Sequence, residues 1–339
     1  MDDTMRFDHL ARLTTPLGLY EHALLDQPRT EHGMCVDDAA RALVVTVRVT
    51  DPSPQVAALT RIYLDFVVAA QHDDGSMHNR RNLDGSWADE ASTHDHWGRA
   101  LWALGTAAAT STDPVVAARA ADAAQTAVRG RSRWMRATSY AVLGAAALLD
   151  RDPDDAAARR LLRESAGSLR RARMDRTWPW PEDSLTYANA VLPQAMLLTG
   201  RHLDSSDLRD DGRYLLRWLI DQQTIDGHLS MVPVAGRARW QTPSVAFDQQ
   251  PIEVAALAEA CRTAHVETGD DRWRAVVDDC MAWFEGDNDS GTPVRDAETG
   301  AGYDGLEPGG VNQNRGAEST LAWLATQQLA LLGRIPVPR

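Results

Sequence analysis

The sequence contains no lysine, and all 35 of its basic residues are arginines. This excludes a Schiff-base lysine and the lysine of a P-loop. The three cysteines, Cys35, Cys261 and Cys280, are scattered and show no CxxC spacing, which argues against a disulfide framework or a zinc ribbon. The ten histidines include no HExxH motif. We therefore expect neither a metal nor a cofactor.

Long apolar runs are also missing, since no stretch approaches the roughly 18 residues that a membrane span needs. The first ten residues lack the basic start and apolar stretch of a secretion signal, which predicts a cytoplasmic protein. The formal net charge of −13 is opposite to the positive field that nucleic acids and anionic membranes attract. We expect neither of these partners.

Helical patterns alternate along all 339 residues with short segments rich in glycine, proline and aspartate. Amphipathic, charged segments typical of outer helices cover residues 5–14, 54–71, 114–128, 155–173, 206–223 and 270–285. Alanine-rich segments typical of inner helices cover residues 37–49, 95–109, 135–149, 185–199, 248–265 and 315–332. A period of about 56 residues indicates stacked helical hairpins. Six of them predict an all-α (α/α)6 toroid, one domain over residues 1–339, with an open solenoid as the alternative.

Polar residues recur where the inner helices are predicted to begin. They are Asp37, Asp38 and Arg41; Asp95, His96 and Arg99; Thr138 and Tyr140; Tyr187 and Asn189; Asp248, Gln249, Gln250 and Glu253; and Asn312, Asn314, Arg315 and Glu318. In a toroid, these starts converge on one mouth. Sugars need donors and acceptors for their hydroxyls and flat rings for their C–H faces. The pattern therefore favours an oligo- or polysaccharide site over helix capping and polar packing, which is the other interpretation.

Two of these starts share one spacing. Asp37 precedes Arg41 by four residues in "VDDAARAL", and Asp95 precedes Arg99 by four in "HDHWGRAL". An acid four residues before an arginine is an ordinary helical ion pair. The alternative is that the arginines orient catalytic carboxylates or bind an acidic substrate group.

Tryptophan outnumbers phenylalanine by eleven to four. Several tryptophans precede predicted inner helices, and we expect those in loops to stack on sugar rings, whereas tryptophans within helices pack in the core. The loop tryptophans are Trp87, Trp178, Trp180 and Trp240. We also expect Trp97, near the start of the second inner helix, to contact substrate.

Five segments spread over nearly the whole chain carry a resemblance to a known family. They are "HGMCVDDAARAL", "STHDHWGRALWALG", "WPWPEDSLTYANAVLPQAML", "FDQQPIEVAALAEAC" and "GYDGLEPGGVNQNRGAESTLAWL". In these segments the chain resembles a family of bacterial helical domains encoded beside, or fused behind, sugar-nucleotide glycosyltransferases. The resemblance implies an (α/α) toroid, a glycan-related role and a glycosyltransferase partner. "HDHWGR" departs from the family's usual acid, small residue and Gly-Arg, which implies that His96 and Trp97 alter substrate choice.

Hydrolysis of a glycosidic bond generally uses two carboxyl groups, about 6.5 to 9.5 Å apart in inverting enzymes. We expect Glu182, between tryptophans in "WPWPED", to be desolvated and to act as the general acid, with Asp38 or Asp95 as the base. The predicted substrate-binding residues are His32, Asp37, Arg41, His96, Trp97, Arg99, Trp178, Trp180, Tyr187, Asn189, Gln249, Gln250, Glu253, Asp304, Asn312, Asn314 and Glu318.

These features predict a carbohydrate-active enzyme, in the first place an inverting glycoside hydrolase. A sugar epimerase, lyase or phosphorylase on the same fold is an alternative, and an epimerase would need a histidine pair, for which His94, His96 and His32 are available. A non-catalytic glycan-binding partner of a glycosyltransferase is the second class. Such a partner would tolerate the loss of any one acid.

Overall fold

The computed structural model describes residues 5–169 and 177–333. The described residues contain twelve α-helices: α1 (Asp8–Leu13), α2 (Val36–Val47), α3 (Pro54–Ala69), α4 (Asp95–Thr110), α5 (Pro114–Ala127), α6 (Met135–Arg151), α7 (Ala156–Leu169), α8 (Val191–His202), α9 (Ser206–Gln222), α10 (Pro251–Thr268), α11 (Asp271–Glu285) and α12 (Ala317–Gly333). A 3-10 helix covers Thr30–His32. None of these helices is long and apolar enough to cross a membrane.

The even-numbered helices form a closed inner ring. Each of them packs against the next, from α2 through α4, α6, α8 and α10 to α12, and α12 packs against α2. The helices α3, α5, α7, α9 and α11 pack outside the inner helix that precedes each of them, and α1 packs on α12. The predicted (α/α)6 toroid is confirmed, because an open solenoid would not bring its last inner helix against its first.

Short antiparallel pairs of two residues each join the loops of this ring. The pairs are β1 (Thr14–Thr15) with β2 (Gly18–Leu19), β3 (Ala23–Leu24) with β4 (Gln27–Pro28), β5 (Met34–Cys35) with β6 (Arg80–Arg81), β7 (Ser184–Leu185) with β10 (Arg237–Ala238), β8 (Thr224–Ile225) with β9 (His228–Leu229), and β11 (Leu306–Glu307) with β12 (Gly310–Val311). Most of these pairs lie in the segments that lead into inner helices and therefore shape the mouth.

Three inner helices begin later than the sequence pattern predicts. The helix expected from residue 185 begins at Val191, and those expected from 248 and 315 begin at Pro251 and Ala317. Ahead of Val191, Ala188 has a φ of 45°, and the side chain of Asn189 accepts a hydrogen bond from the backbone N–H of Thr186 at 3.0 Å. These interactions form a turn in place of the first helical residues.

The outer and inner helices differ at their N-termini. Four outer helices are capped by their own side chains: Ser53, Asp113, Ser205 and Asp270 accept hydrogen bonds from first-turn N–H groups. The residues that precede α2, α4, α6, α8 and α10 make no such bond. The inner helices are therefore not capped by the side chain that precedes them, and at α2 the first N–H groups, those of Val36 and Asp37, donate instead to the side chain of Asn79.

Small residues bring α4 and α6 unusually close together. A Cβ atom added at Gly98 would lie 2.2 Å from the carbonyl oxygen of Ala137, and one at Gly105 would lie 2.3 Å from that of Gly144. Backbone packs directly on backbone here, which explains the alanine- and glycine-rich composition of the inner helices. The start of α6 is thereby held beside the start of α4.

Candidate functional site

A cleft of about 790 Å³ opens at the mouth, where the inner helices begin. Its wall is formed by the starts of α2, α4 and α6, by the loop before α4 and by the segment before α8. The lining residues include Asp37, Asn79, Asp89, His94, Asp95, His96, Trp134, Arg136, Glu182, Thr186 and Tyr187. The cleft thus brings together Asp37, Asp95 and Glu182 from separate segments, as the toroid interpretation requires.

Arg99 lies under the cleft and joins two of its carboxylates. Its Nη1 donates to Oδ1 of Asp37 at 2.6 Å and lies 3.8 Å from Oδ2 of Asp95. Its guanidinium stands 4.8 Å from the ring centre of Tyr140, and its side chain is 6% exposed. A buried, rigidly held cation therefore fixes Asp37 and Asp95 as neighbours.

Asp37 remains ionised because of its arginine neighbours. Burial acts to raise the pKa of Asp37, but the guanidiniums of Arg99 and Arg41 outweigh it and hold the pKa below its ordinary value of 3.8. The amide of Asn79 also donates to Asp37 at 3.1 Å. Asp37 therefore suits a role as an acceptor of hydrogen bonds or protons and not as a proton donor.

Asp95 is oriented by a phenol. The hydroxyl of Tyr187 donates to Oδ2 of Asp95 at 2.6 Å. Burial, followed by the bond to Asp95 and its charge, raises the pKa of Tyr187, so the phenol remains a donor. Tyr187 itself is 43% exposed in the cleft, which leaves its ring accessible to a ligand.

Arg136, the first basic residue of α6, ties the α8 segment to the cleft. It pairs with Glu182 and donates to the carbonyl of Tyr187 at 3.0 Å, to Thr186 Oγ1 at 2.9 Å and to Asn189 Oδ1 at 3.0 Å. The side chain of Glu182 is 35% exposed and forms its ion pair with this arginine. The expectation that tryptophan rings desolvate Glu182 is wrong, because the strongest neighbour is a guanidinium.

Glu253 and Asn189 lie beneath this wall. The amide of Asn189 donates to Glu253 at 2.8 Å, and the backbone N–H of Ala188 also donates to it. Burial raises the pKa of Glu253 to about 7, although these hydrogen bonds act in the opposite direction. Both side chains are fully enclosed, so they brace the turn before α8 and do not touch a substrate in the cleft.

Asp38 is turned away from the cleft. It lies 2.7 Å from Arg41 and accepts a hydrogen bond from the Cys35 thiol at 3.2 Å, and it is 3% exposed. Burial raises its pKa to about 7, with Arg41 opposing and Glu318 adding to the effect. The position of Asp38 therefore does not support the expectation that it is catalytic. Adjacent residues of a helix point about 100° apart, and on α2 it is Asp37 that faces the cleft.

Arg41 links the first inner helix to the last one. Its Nη2 lies 2.7 Å from Glu318 of α12, while its Nη1 holds Asp38. Nearby, burial and the charge of Glu318 raise the pKa of Asp304 to about 6. Asp304 is only partly enclosed, so this side of the mouth offers an accessible carboxyl group that holds a proton below about pH 6.

Several predicted aromatic contacts are wrong because the rings are in the core. Trp97 is 1% exposed and donates to the carbonyl of Ala127 at 3.1 Å. Trp178 and Trp180 are 6% and 4% exposed and pack on the ring of Trp218. An indole ring that can pack on another ring gains more free energy from burial than from remaining exposed to a ligand. Whether such a partner ring is within reach does not follow from sequence position.

The other two loop tryptophans differ from each other. The ring of Trp87 is partly buried and stacks on His78, with ring centres 5.2 Å apart. Trp240 is 81% exposed and follows β10, which pairs with β7 beside the cleft wall. Of the two, Trp240 is the ring that is open to a ligand.

Trp134 is the aromatic residue that the sequence interpretation missed. It is 46% exposed, lines the cleft and meets the ring of His94 edge-on, with ring centres 6.1 Å apart. It lies within the arginine-rich "RGRSRWMR", which reads as a solvated helix end. Its position just before α6, equivalent to His94 before α4, is the signal that could have found it.

The remaining predicted residues stabilise loops around the mouth. His32 is exposed and meets the ring of His22 edge-on, and the side chain of Asn314 accepts from the backbone of Ala23 at 2.9 Å. Gln249 is fully buried and donates to Asp289 at 2.6 Å. Gln250 is the residue that precedes α10. The side chain of Asn312 accepts a hydrogen bond from the backbone N–H of Asn314 at 2.9 Å. His96 lines the cleft, and its ring forms a hydrogen bond with the carbonyl of Met77 at 2.9 Å.

Within the described residues, one group has the composition of a metal site. Ligand atoms of Glu21, Cys35 and Asp38 lie within 4.8 Å of one another. Both carboxylates are already paired, Glu21 with Arg80 and Asp38 with Arg41. Burial raises the pKa of the Cys35 thiol well above its ordinary value, so the group favours a protonated thiol over a metal-binding thiolate.

Solved structures similar to this chain include proteins named as sugar epimerases and an α-amylase. A cellobiose 2-epimerase from Spirochaeta thermophila has a TM-score of 0.68 and 13% identity, with 97% of this chain and 94% of that chain covered. A sugar epimerase from a ruminal bacterium has a TM-score of 0.66 and 13% identity over 97% and 96% of the two chains. An α-amylase from Clostridium perfringens has a TM-score of 0.65 and 12% identity over 97% and 98%. No protein-family model matches the sequence, and a comparison with curated proteins finds no match.

Proposed function

We propose that this protein is a carbohydrate-active enzyme, an inverting glycoside hydrolase that binds an oligo- or polysaccharide in the cleft at the mouth. The observation that carries the proposal is the content of this cleft. Three carboxylates, Asp37, Asp95 and Glu182, line it together with two exposed aromatic rings, Trp134 and Tyr187. Carboxylates and flat rings are what a glycosidic bond and a pyranose face require.

Asp95 is the proposed base. Tyr187 orients one of its oxygens, and the neighbouring Arg99 stabilises its charge. In an inverting reaction, the base takes a proton from a water molecule that attacks the anomeric carbon while the glycosidic C–O bond breaks. We infer inversion by analogy with other helical toroids.

Two carboxyl groups are proposed donors of the proton to the leaving oxygen. Glu182 lines the cleft but forms an ion pair with Arg136. It can therefore take up a proton only after a bound substrate has separated it from that guanidinium. Asp304 lies on the α12 side of the mouth, outside the lining of the cleft, and its pKa, raised to about 6 by burial and Glu318, lets it hold a proton below about pH 6 without such a change. The two candidates give different pH profiles, because an Asp304 donor predicts an alkaline loss of turnover near pH 6.

The direct test is incubation with oligosaccharides labelled at the reducing end. We expect shorter labelled products, and proton NMR of the first product should show the inverted anomer. Glu182→Gln and Asp304→Asn identify the proton donor, because only replacement of the donor should abolish the loss of turnover on the alkaline side of the pH profile. Glu164→Gln, which changes an acid on α7 paired with Arg131 and Arg160, is the matched control.

A sugar epimerase is the second candidate, favoured by two histidines on the cleft wall. The rings of His94 and His96 stand 6.3 Å apart, and His94 is exposed. An epimerase would exchange a substrate C–H proton with solvent deuterium and leave the chain length unchanged. A non-catalytic partner of a glycosyltransferase would bind saccharide without either product, and its binding would survive the loss of any one acid.

A further inference from the structure

A second cavity, of about 380 Å³, lies at the opposite end of the toroid, where the inner helices end. We call it the far cavity. Apolar side chains such as Leu198, Leu329 and Trp102 form part of its wall. Its charged lining consists of Arg48, Asp150, Arg151, Arg201, Glu259 and Arg262.

Only two of the four arginines on this wall are neutralised. Arg48 pairs with Glu259 through both carboxylate oxygens, and Arg201 lies 2.8 and 2.7 Å from the two oxygens of Asp150. Within residues 5–169 and 177–333, neither Arg151 nor Arg262 forms an ion pair or a side-chain hydrogen bond. The lining therefore has two uncompensated positive charges, that of the exposed Arg151 and that of the partly buried Arg262.

Arg262 is the decisive residue. Arg151 lies in the last turn of α6, where the helix carbonyls attract a cation. Arg262 lies more than a turn before the end of α10 at Thr268, so a helix end does not account for it. Its Nη1 is buried and has no hydrogen-bond partner. Burial lowers the pKa of Arg262, as expected of a cation without a counter-ion.

Glu267, the other unpartnered charged side chain of α10, does not resolve this imbalance. Its charge interacts with Arg201, Arg209 and Arg213, towards α8 and α9, and it does not line the far cavity. Arg262 is only partly buried, but its Nη1 is enclosed without a partner, and an enclosed, uncompensated charge destabilises a fold unless a ligand supplies the opposite charge.

We propose that the far cavity binds a small molecule that carries a phosphate group. A phosphate has a charge of about −1.5 to −2 at neutral pH, which matches the two uncompensated arginines. One guanidinium group can bind two phosphate oxygens at once through two parallel N–H···O hydrogen bonds. The volume is that of a small-ligand site, and the apolar wall accommodates the remainder of an organic phosphate. The site lies at the other end from the cleft, so this proposal does not depend on the proposed hydrolase activity.

Isothermal titration of the full chain with inorganic phosphate tests the proposal. We expect one phosphate per chain for the wild type and at least tenfold weaker binding for Arg262→Gln, with partial recovery in Arg262→Lys. Arg129→Gln, which changes an exposed arginine away from the cavity, should bind phosphate as the wild type does. Without phosphate, Arg262→Gln should melt no lower than the wild type, because it removes an uncompensated charge.

Three binding results and one melting result would overturn the proposal. The binding results are phosphate binding that Arg262→Gln leaves unchanged, displacement of phosphate by a saccharide that occupies the cleft, and binding of acetate as tight as that of phosphate. A lower melting temperature of Arg262→Gln without phosphate would also contradict it, since that outcome assigns the guanidinium a structural partner.

Discussion

At the start of α2, Arg41 donates to Asp38, three residues before it, and reaches across to Glu318 of α12. At the start of α4, Arg99 makes its short bond to Asp37 of α2, whereas Asp95, four residues before it, is 3.8 Å away. The same spacing in sequence thus gives two different pairings. In both cases, the arginine connects its helix to the preceding inner helix of the ring, so these residues hold the mouth together.

The same comparison separates the neighbouring acids. Asp37 and Asp95 share Arg99 on the cleft, whereas Asp38 is enclosed with Arg41 and Cys35. Chemistry is thus expected at the Arg99 group, and support of the fold at the Arg41 group. The predictions below test this division.

The largest effect is expected for Asp95→Asn. We expect saccharide turnover to fall by at least about a hundredfold, the usual loss on removal of a general base. The melting temperature should change little, because asparagine still accepts the hydroxyl of Tyr187. Asp38→Asn should lower turnover by less than about tenfold. Equal losses in the two variants would remove the distinction between the groups, and unchanged turnover in Asp95→Asn would refute its role as base.

Removal of the arginines should destabilise the fold unequally. Arg99→Met leaves the partly buried carboxylate of Asp37 without its main partner, which costs at most about the 3 to 5 kcal/mol of a broken buried pair. Arg41→Met should cost less, about 1 to 3 kcal/mol, because Asp38, with a pKa of about 7, can take up a proton instead. Urea denaturation at pH 6 measures both free energies of unfolding. A larger loss for Arg41→Met would reverse the assignment.

The two adjacent aspartates should affect stability with opposite pH dependence. The folded protein keeps a proton on Asp38 that the unfolded chain has lost, so Asp38 lowers stability progressively from about pH 4 to about pH 7. The depressed pKa of Asp37 contributes stability above pH 3.8, and this contribution is lost as the pH falls through the lower folded value.

In melting scans between pH 3 and pH 8, Asp38→Asn should therefore show a flatter decline towards pH 7 than the wild type. Asp37→Asn should be less stable than the wild type at neutral pH and should approach it in acid. Parallel curves for the two variants would show that their environments are alike, contrary to the structure.

The smallest effect is expected for the exposed ring of Trp134. Trp134→Ala should weaken saccharide binding about two- to tenfold by loss of one stacking partner and leave the melting temperature unchanged. Trp178→Ala, with a buried ring, should instead cost about 3 to 5 kcal/mol of stability. Calorimetric titration and thermal melts distinguish the two. A stability loss in Trp134→Ala without a change in binding would remove it from the site.

The sequence alone predicted the inner and outer helices. Each helix buries one face against neighbouring hairpins, and this gives the apolar residues a helical spacing that is visible in the sequence. It also predicted a polar mouth, since Asp37, Asp95 and Tyr187 recur at equivalent places. Helix starts were less accurate at Val191 and Pro251, where a strand pair and side-chain hydrogen bonds replace the first helical turn.

Tertiary structure alone decided which polar and aromatic side chains reach the cleft. Whether Asp37 or Asp38 faces it depends on the rotation of α2 in the ring, and Arg99 pairs with Asp37 because α4 lies beside α2. Trp178 is buried because Trp218, 40 residues later, supplies a ring to pack on, while Trp134 meets the ring of His94 at the edge of the cleft and stays exposed. Periodicity is a local property of a chain, whereas burial and charge pairing depend on contacts between residues far apart in sequence.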